Sequence, residues 1–304
     1  MKEERHPSQL SPIELQEGRG SASEAAWPNL FIVGAVKSGT TSLHRYLEQH
    51  PQIFMSSVKE PYFFSRPPPG HPVFDESSYL GLFACTSVET LRGESSPLYL
   101  WDASTPQRIK RVSPNAKIII MLRDPVERAY SHYLMDVEQG VQTRSFPQAI
   151  QRELDRPFHL YIELGRYCHQ VSRYLELFDD VLVLFSEEFF ADARMQVNEV
   201  FRFLGVTGEH AHSVDLRAHN AYEGPVSVLG KAAQRAYRGD LIRAVARRLV
   251  PGSARAYVRR SFLRQRKRRI DAEAERLLNH VYRHEPNCLR KLLGREVPWK
   301  QTHS

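Results

Sequence analysis

The stretch FIVGAVKSGTTSLHRYLEQHP, Phe31 to Pro51, constrains this chain more than any other. A continuous apolar run ends at Gly34, as a strand buried on both faces of a parallel sheet does. Leu43, Tyr46 and Leu47 then fall on one face of a helix that Pro51 stops. The loop between them keeps Gly34 and Gly39 at the spacing of a GxxxxGK[ST] phosphate loop, but Thr40 follows the second glycine where that motif has lysine. The lysine, Lys37, sits inside the loop instead. A strand that feeds such a loop into a helix N-terminus aims backbone N–H groups at an anion, and the helix dipole favours the negative charge. A tight turn accounts for the glycines alone. Lys37 together with the hydroxyls of Ser38, Thr40, Thr41 and Ser42 points to phosphate or sulfate.

The same strand-then-helix order recurs. AKIIIMLRDP is the strongest buried-strand signal, and Pro125 opens the helix VERAYSHYLMDVEQG at a position where its missing N–H costs nothing. VLVLFSEEF reads as a third strand, followed by the amphipathic helix ARMQVNEVFRFLGV that ends at Gly205. LRGESSPLYL is a short strand or turn leading into a polar helix, DASTPQRIKRVSP, capped by Asp or Ser. KEPYFFSRPPPGHPVF, with its aromatics and proline run, fits an irregular wall segment. The pattern predicts an α/β chain with a P-loop-like three-layer fold, a central parallel sheet and helices on both faces. Residues 1–28 are polar and aperiodic and predict a flexible N-terminal arm. Residues 29–304 then form one domain, whose portion from about residue 213 is Arg-rich and helical.

Lys+Arg 42 against Asp+Glu 35 gives a net charge of +7, which suits an anionic ligand, a nucleic acid or an acidic surface without choosing among them. Cys85, Cys168 and Cys288 are far apart in sequence, with no CxxC and no histidine at zinc spacing, so neither a disulfide framework nor a structural metal is expected. The N-terminus lacks the apolar run of a signal peptide and nothing is long enough to span a membrane, which gives the expectation of a cytoplasmic protein.

Several charged residues have two readings. In MLRDPVERAYSHY, Arg123 comes off a buried strand and Ser131 lies eight residues on, about two turns into the next helix. At the carboxyl ends of neighbouring parallel strands, a second phosphate of the same nucleotide would lie there. The plainer reading pairs Arg123 with Asp124 or a carbonyl; Asp124 as a metal-binding aspartate is a third, without the lysine it would serve. Glu60 beside Lys59 is a catalytic carboxylate or a surface ion pair. The run RQRKRR, Arg264 to Arg269, is a solvated helix face or a nucleic-acid patch. His44, His132, His169 and His219 have no partner at metal or triad spacing.

VKSGTTS together with RDPVERAYSHY resembles the signature of sulfotransferases that use 3′-phosphoadenosine 5′-phosphosulfate (PAPS). KEPYFF between the two, and the ending HEPNCLRKLLGREVPW, are similar to the heparan-sulfate glucosaminyl branch and its bacterial relatives, over about residues 29 to 300. The resemblance implies PAPS as donor, no metal, and in-line transfer of a sulfuryl group to a hydroxyl of a carbohydrate-like or other intracellular acceptor, with an amine as second choice. It implies that Lys37 neutralises the bridging oxygen as the phosphate leaves, that Ser38, Gly39, Thr40, Thr41 and Ser42 cradle the cofactor, and that Arg123 and Ser131 hold its 3′-phosphate. Glu60 then acts as base, with Tyr62, Phe63 and Phe64 walling the site and His132 as the rival base. In GESSPLY, Ser95 stands where glycan sulfotransferases often carry lysine. Arg264, Arg266 and Lys267 match a loop that closes over the 3′-phosphate, without its glycine. Sugar, lipid, peptide tyrosine and secondary metabolite all remain open as acceptors. The rival from another class, a polyanion or nucleic-acid binder using the C-terminal Arg run, leaves Lys37, Glu60 and Arg123 without a task; a small-molecule kinase would need the missing GK[ST].

Overall fold

The structure is a computed structural model and describes residues 27–68, 71–84, 91–156, 160–216 and 269–299. Five strands, β1 (Leu30–Gly34), β2 (Ile53–Met55), β3 (Leu91–Ser95), β4 (Lys117–Leu122) and β5 (Val181–Phe185), form one sheet in the order β2-β3-β1-β4-β5. Every neighbouring pair is parallel. β3 flanks β1 on one side and β4 on the other, so the chain crosses over β1 between them and leaves a crevice at its carboxyl end.

The helices are α1 (Thr40–Leu47), α2 (Glu76–Gly81), α3 (Thr105–Val112), α4 (Pro125–Gln139), α5 (Phe146–Asp155), α6 (Tyr167–Leu175), α7 (Ser186–Ala191), α8 (Ala193–Leu204), α9 (Ala272–Tyr282) and α10 (Glu285–Leu293). Alternate strand residues face opposite layers. Phe31, Val33, Ile118 and Ile120 pack with Ile109 of α3, Val171 and Tyr174 of α6 and Leu289 of α10. Leu30, Ile32, Ile119 and Met121 pack with Leu43, Tyr46 and Leu47 of α1 and with Val197, Val200 and Phe201 of α8. The continuous apolar runs of β1 and β4 thus follow from burial on both faces. A third cluster joins α4, α5 and α9 through Ala129, Ile150 and Leu278.

Local chemistry sets the helix ends. Pro125 occupies the first turn of α4, and the Asp124 carboxylate accepts from the N–H groups of Val126 at 2.9 Å and Glu127 at 3.1 Å. Gly205 closes α8 in the left-handed region at φ 75°. Ser104 takes the N-cap position of α3, while Asp102 braces the turn by accepting from the Ser104 N–H and hydroxyl. β2 is unanticipated by sequence; its pairing with β3 in the register Ile53↔Leu91 recruits it. Most of the expected N-terminal arm and much of the Arg-rich portion, including Arg264, Arg266 and Lys267, lie outside the described residues, as do Cys85 and His219.

The expectation of no disulfide is corrected. Cys168 at the start of α6 and Cys288 in α10 are bonded, with Cα atoms 6.0 Å apart across a sequence separation of 120. Packing of α10 on α6 overrides their distance in sequence, and the Cys168 N–H also donates to Glu285 at 2.9 Å. A cross-link over so long a loop restricts the unfolded chain, so Cys288→Ser should cost about 2–5 kcal/mol. Urea denaturation with and without reductant checks this: reductant should weaken the wild type towards the variant and leave the variant unchanged.

Candidate active site

The loop after β1 is built on two left-handed residues, Lys37 at φ 66° and Gly39 at φ 96°. Gly39 is the N-cap of α1, a helix with no side-chain cap and no acidic residue in its first turn. Its end therefore presents N–H groups and positive dipole without a carboxylate to offset them. A side chain at Gly39 is disfavoured twice, by the backbone conformation and by a Cβ position 2.7 Å from the Phe190 ring. Ser186, at the end of β5, braces the loop: its hydroxyl lies 2.5 Å from the Ser38 carbonyl and 2.9 Å from that of Leu122, and can donate its proton to either.

Arg123 comes off the end of β4 and its guanidinium approaches the Lys37 carbonyl at 3.4 Å, while pairing with Glu127 at 3.1 Å. The Tyr167 hydroxyl holds the Arg123 carbonyl at 3.0 Å. The two expected anion-binding segments are therefore brought together. Asp124 is the cap of α4, and Arg123 pairs with Glu127 in place of Asp124; the contact of Arg123 with the Lys37 carbonyl is the carbonyl contact that the plainer reading expected. Ser131 lies half-buried on α4, two helical turns beyond. The Lys37 ammonium has the Met135 sulfur as its hydrogen-bond partner, at 3.6 Å. Burial pulls its pKa down, with Arg123 adding to the effect and Glu138, Glu60 and Asp136 opposing it.

Glu60 reaches the same end of the sheet from the segment that follows β2. Its N–H donates to the Ser95 carbonyl at the end of β3, at 3.0 Å. Its carboxylate accepts from the Lys59 ammonium and from the Tyr62 hydroxyl, the latter at 2.5 Å. Burial pushes the Glu60 carboxyl up, but the Lys59 charge, these hydrogen bonds and His71 outweigh it and hold the group below its usual range. Glu60 is thus ionised and able to accept a proton.

Of the expected wall residues, Tyr62 touches Glu60, whereas Phe63 and Phe64 are corrected to core residues: Phe63 stacks on Tyr79 at 4.2 Å and Phe64 meets Phe31 edge-on. The rival base His132 packs its ring against Tyr161 at 5.0 Å. His44 is kept neutral, its pKa pushed down to about 4 by burial and by Lys59. Ser95 contributes its carbonyl to the Glu60 segment, which is not the role of a lysine ammonium. Sequence reasoning missed Ser186 and Phe190; an apolar strand followed at once by a hydroxyl was the available signal for the first.

The family described as Sulfotransferase domain matches residues 28–223, a span holding the loop, Glu60, Arg123 and Ser131. The chain belongs to the sulfotransferase family. A sulfotransferase from Alicyclobacillus acidocaldarius is 30% identical, with 90% of this chain and 98% of that one covered and a TM-score of 0.66. A mouse sulfotransferase complexed with PAP shares the fold at 19% identity and a TM-score of 0.50, covering 89% of this chain and 90% of that one. Heparan sulfate glucosamine 3-O-sulfotransferase 6 of Mus musculus is 29% identical over 195 residues, 60% of this chain and 55% of that protein. The membrane-associated sulfotransferase kil1 of Dictyostelium discoideum is 34% identical over 120 residues, 40% of this chain and 25% of that protein. The chain thus spans about half or less of the length of these curated relatives. Among the described residues, no helix is long and apolar enough to cross a membrane, and no cluster of three or more His, Cys, Asp or Glu is arranged to hold a metal ion.

In this sulfotransferase chain the left-handed glycine is the most direct test of the loop. Gly39→Ala should lower stability by about 1–2 kcal/mol through backbone strain and the Phe190 clash. Chemical denaturation measures it; an unchanged midpoint would mean a different loop conformation.

Proposed function

We propose that the chain moves a sulfuryl group from PAPS to a hydroxyl of a carbohydrate-like acceptor. The observation that carries this reading is the Lys37 ammonium, half-buried beside an uncapped helix end and, among the described residues, hydrogen-bonded to a thioether. Glu138, Glu60 and Asp136 act on this cation from nearby, but its hydrogen bond goes to sulfur, so a phosphate oxygen would be a better direct partner, and the residues around it suit a nucleotide with two phosphate groups. When bound, PAPS supplies the activated sulfuryl group.

The first-turn N–H groups of α1, with Ser38, Gly39, Thr40, Thr41 and Ser42, cradle the phosphate that carries the sulfate. Lys37 places positive charge where the leaving oxygen gains negative charge, and Arg123 and Ser131 hold the 3′-phosphate. Glu60, ionised beside Lys59, takes the proton of the acceptor. Like phosphoryl transfer, the reaction asks mainly for positioning and charge. Arg264, Arg266 and Lys267 are proposed to close over the 3′-phosphate from outside the described residues. The name of the heparan sulfate 3-O-sulfotransferase relative supports a sugar hydroxyl as target. A relative named as bifunctional N-deacetylase/N-sulfotransferase keeps the amine as second choice. The Cys168–Cys288 bond weighs against the cytoplasmic location expected from sequence, since disulfides persist in oxidising compartments.

Adenosine 3′,5′-bisphosphate should raise the melting temperature well above the effect of AMP or ATP. Arg123→Ala should remove about 2 kcal/mol of that binding. Equal shifts for AMP and the bisphosphate would contradict the second phosphate site. With labelled PAPS and heparan sulfate oligosaccharides, Lys37→Ala should lose on the order of a hundredfold in turnover and weaken nucleotide binding. Glu60→Gln should lose roughly a hundredfold in turnover with bisphosphate binding nearly unchanged. Normal turnover by Glu60→Gln would place the base elsewhere.

A further inference from the structure

Beneath the Glu60 segment lies a carboxylate that the proposed reaction does not use. Glu94 of β3 is fully buried, at 0% exposure. One of its oxygens accepts from the Tyr79 hydroxyl at 2.8 Å and the Tyr99 hydroxyl at 2.9 Å; the other accepts from the Ser96 hydroxyl at 2.7 Å. Two of these hydroxyls also accept. The Tyr62 N–H donates to Ser96 Oγ at 3.2 Å, and the Phe64 N–H donates to the Tyr99 hydroxyl at 3.1 Å.

An ionised carboxylate has no proton to give, so each hydroxyl must point its own proton at Glu94 and turn a lone pair to the backbone. The backbone held in this way carries Glu60, and it is strained: Glu60 and Tyr62 have φ values of 62° and 52°, in the left-handed region. Non-glycine residues stay there only when their surroundings hold them.

We propose that Glu94 is a positioning residue for Glu60: its ionised carboxylate sets the direction of the Ser96 and Tyr99 hydrogen bonds, and these fix the Tyr62 and Phe64 backbone that presents Glu60. The inference rests on the reading of Glu60 as the base. It makes the segment sensitive to pH. Burial pushes the Glu94 carboxyl up to about 7, against the hydrogen bonds from Ser96, Tyr79 and Tyr99 and the charge of Lys59. The titratable and charged groups facing it are Lys59 and Tyr62 of the segment, Tyr79 of α2, Tyr99 of the turn after β3 and Tyr174 of α6. Protonation turns one acceptor oxygen into a donor and reverses one of the hydroxyls. The hydrogen-bond directions described here therefore belong to the ionised form, above about 7, and an altered pattern to the protonated form below it; because burial raises this pKa, stability itself falls as pH rises towards that value.

The test uses the full isotopically labelled chain with adenosine 3′,5′-bisphosphate bound. Amide resonances of Tyr62 and Phe64 are followed from about pH 6 to about pH 8.5, a range spanning a group that titrates near neutrality. In the wild type both should titrate with a midpoint near 7. In Glu94→Gln, whose amide nitrogen is a permanent donor, both should be flat. This readout needs no acceptor. In parallel, transfer to heparan sulfate oligosaccharides should show a wild-type acid limb at the same midpoint. The variant should lose that limb, fall on the order of tenfold to a hundredfold in kcat at high pH, and keep its bisphosphate affinity. Amide titrations that persist in Glu94→Gln, or a kcat equal to wild type, would overturn the proposal. If Glu94→Gln fails to fold, Ser96→Ala and Tyr99→Phe cut the two links singly; normal kcat in both overturns it, and loss of kcat with intact bisphosphate affinity supports it. Glu60→Gln is run alongside: normal turnover there removes the base reading, while the amide titration still judges the coupling.

Discussion

The site depends on an imbalance of charge at the carboxyl end of β1. The loop turns through left-handed Lys37 and Gly39 into a helix that no side chain caps, and the lysine beside it has a sulfur for a partner. The helix end and the lysine are both positive, and the loop from Gly34 to Ser42 has no carboxylate of its own. An oxyanion with more than one acceptor oxygen satisfies the helix end and the ammonium together. The rest of the sheet keeps this arrangement in place. Ser186, just past β5, braces the loop carbonyl of Ser38 and that of Leu122 in β4, and Arg123, just past β4, reaches the Lys37 carbonyl.

The parallel sheet also explains how a base and a leaving-group cation come to one edge from segments distant in sequence. β3 lies directly beside β1, so the segment bonded to the end of β3 through the Glu60 N–H and the Ser95 carbonyl stands next to the phosphate loop. The two charged groups are near enough for Glu60 to raise the Lys37 pKa. Lys59 and Tyr62 keep Glu60 ionised, and the hydroxyls around Glu94 keep its strained backbone in place. A buried carboxylate without a cation in direct contact is costly. Its place under this segment fits a role in orientation better than one in stability.

Features carried by local pattern were legible in the sequence. β1 and β4 announce themselves as continuous apolar runs because both faces are covered, and Pro125 and Gly205 mark helix ends through backbone chemistry that needs no tertiary context. The loop was readable because glycine spacing and hydroxyl content are themselves the anion-binding device. Features decided by contacts across the fold were not. β2 has three residues, too few to show a period, and exists by pairing with β3. Phe63 and Phe64 looked like a site wall because composition cannot say which way a ring points; the stack on Tyr79 turns Phe63 inward. Cys168 and Cys288 meet because α6 and α10 pack, and Glu94 reads as an ordinary strand glutamate until the three hydroxyls around it are seen.

A crystal structure with adenosine 3′,5′-bisphosphate bound tests the central claim, that the Lys37 loop and Arg123 form one site for two phosphates, most directly. The account predicts the 5′-phosphate on the N–H groups at the start of α1, with the Lys37 ammonium drawn from Met135 to within about 3 Å of it, and the 3′-phosphate at a similar distance from Arg123. A nucleotide bound elsewhere, or bound with Lys37 still against Met135 and Arg123 still on Glu127, would contradict it.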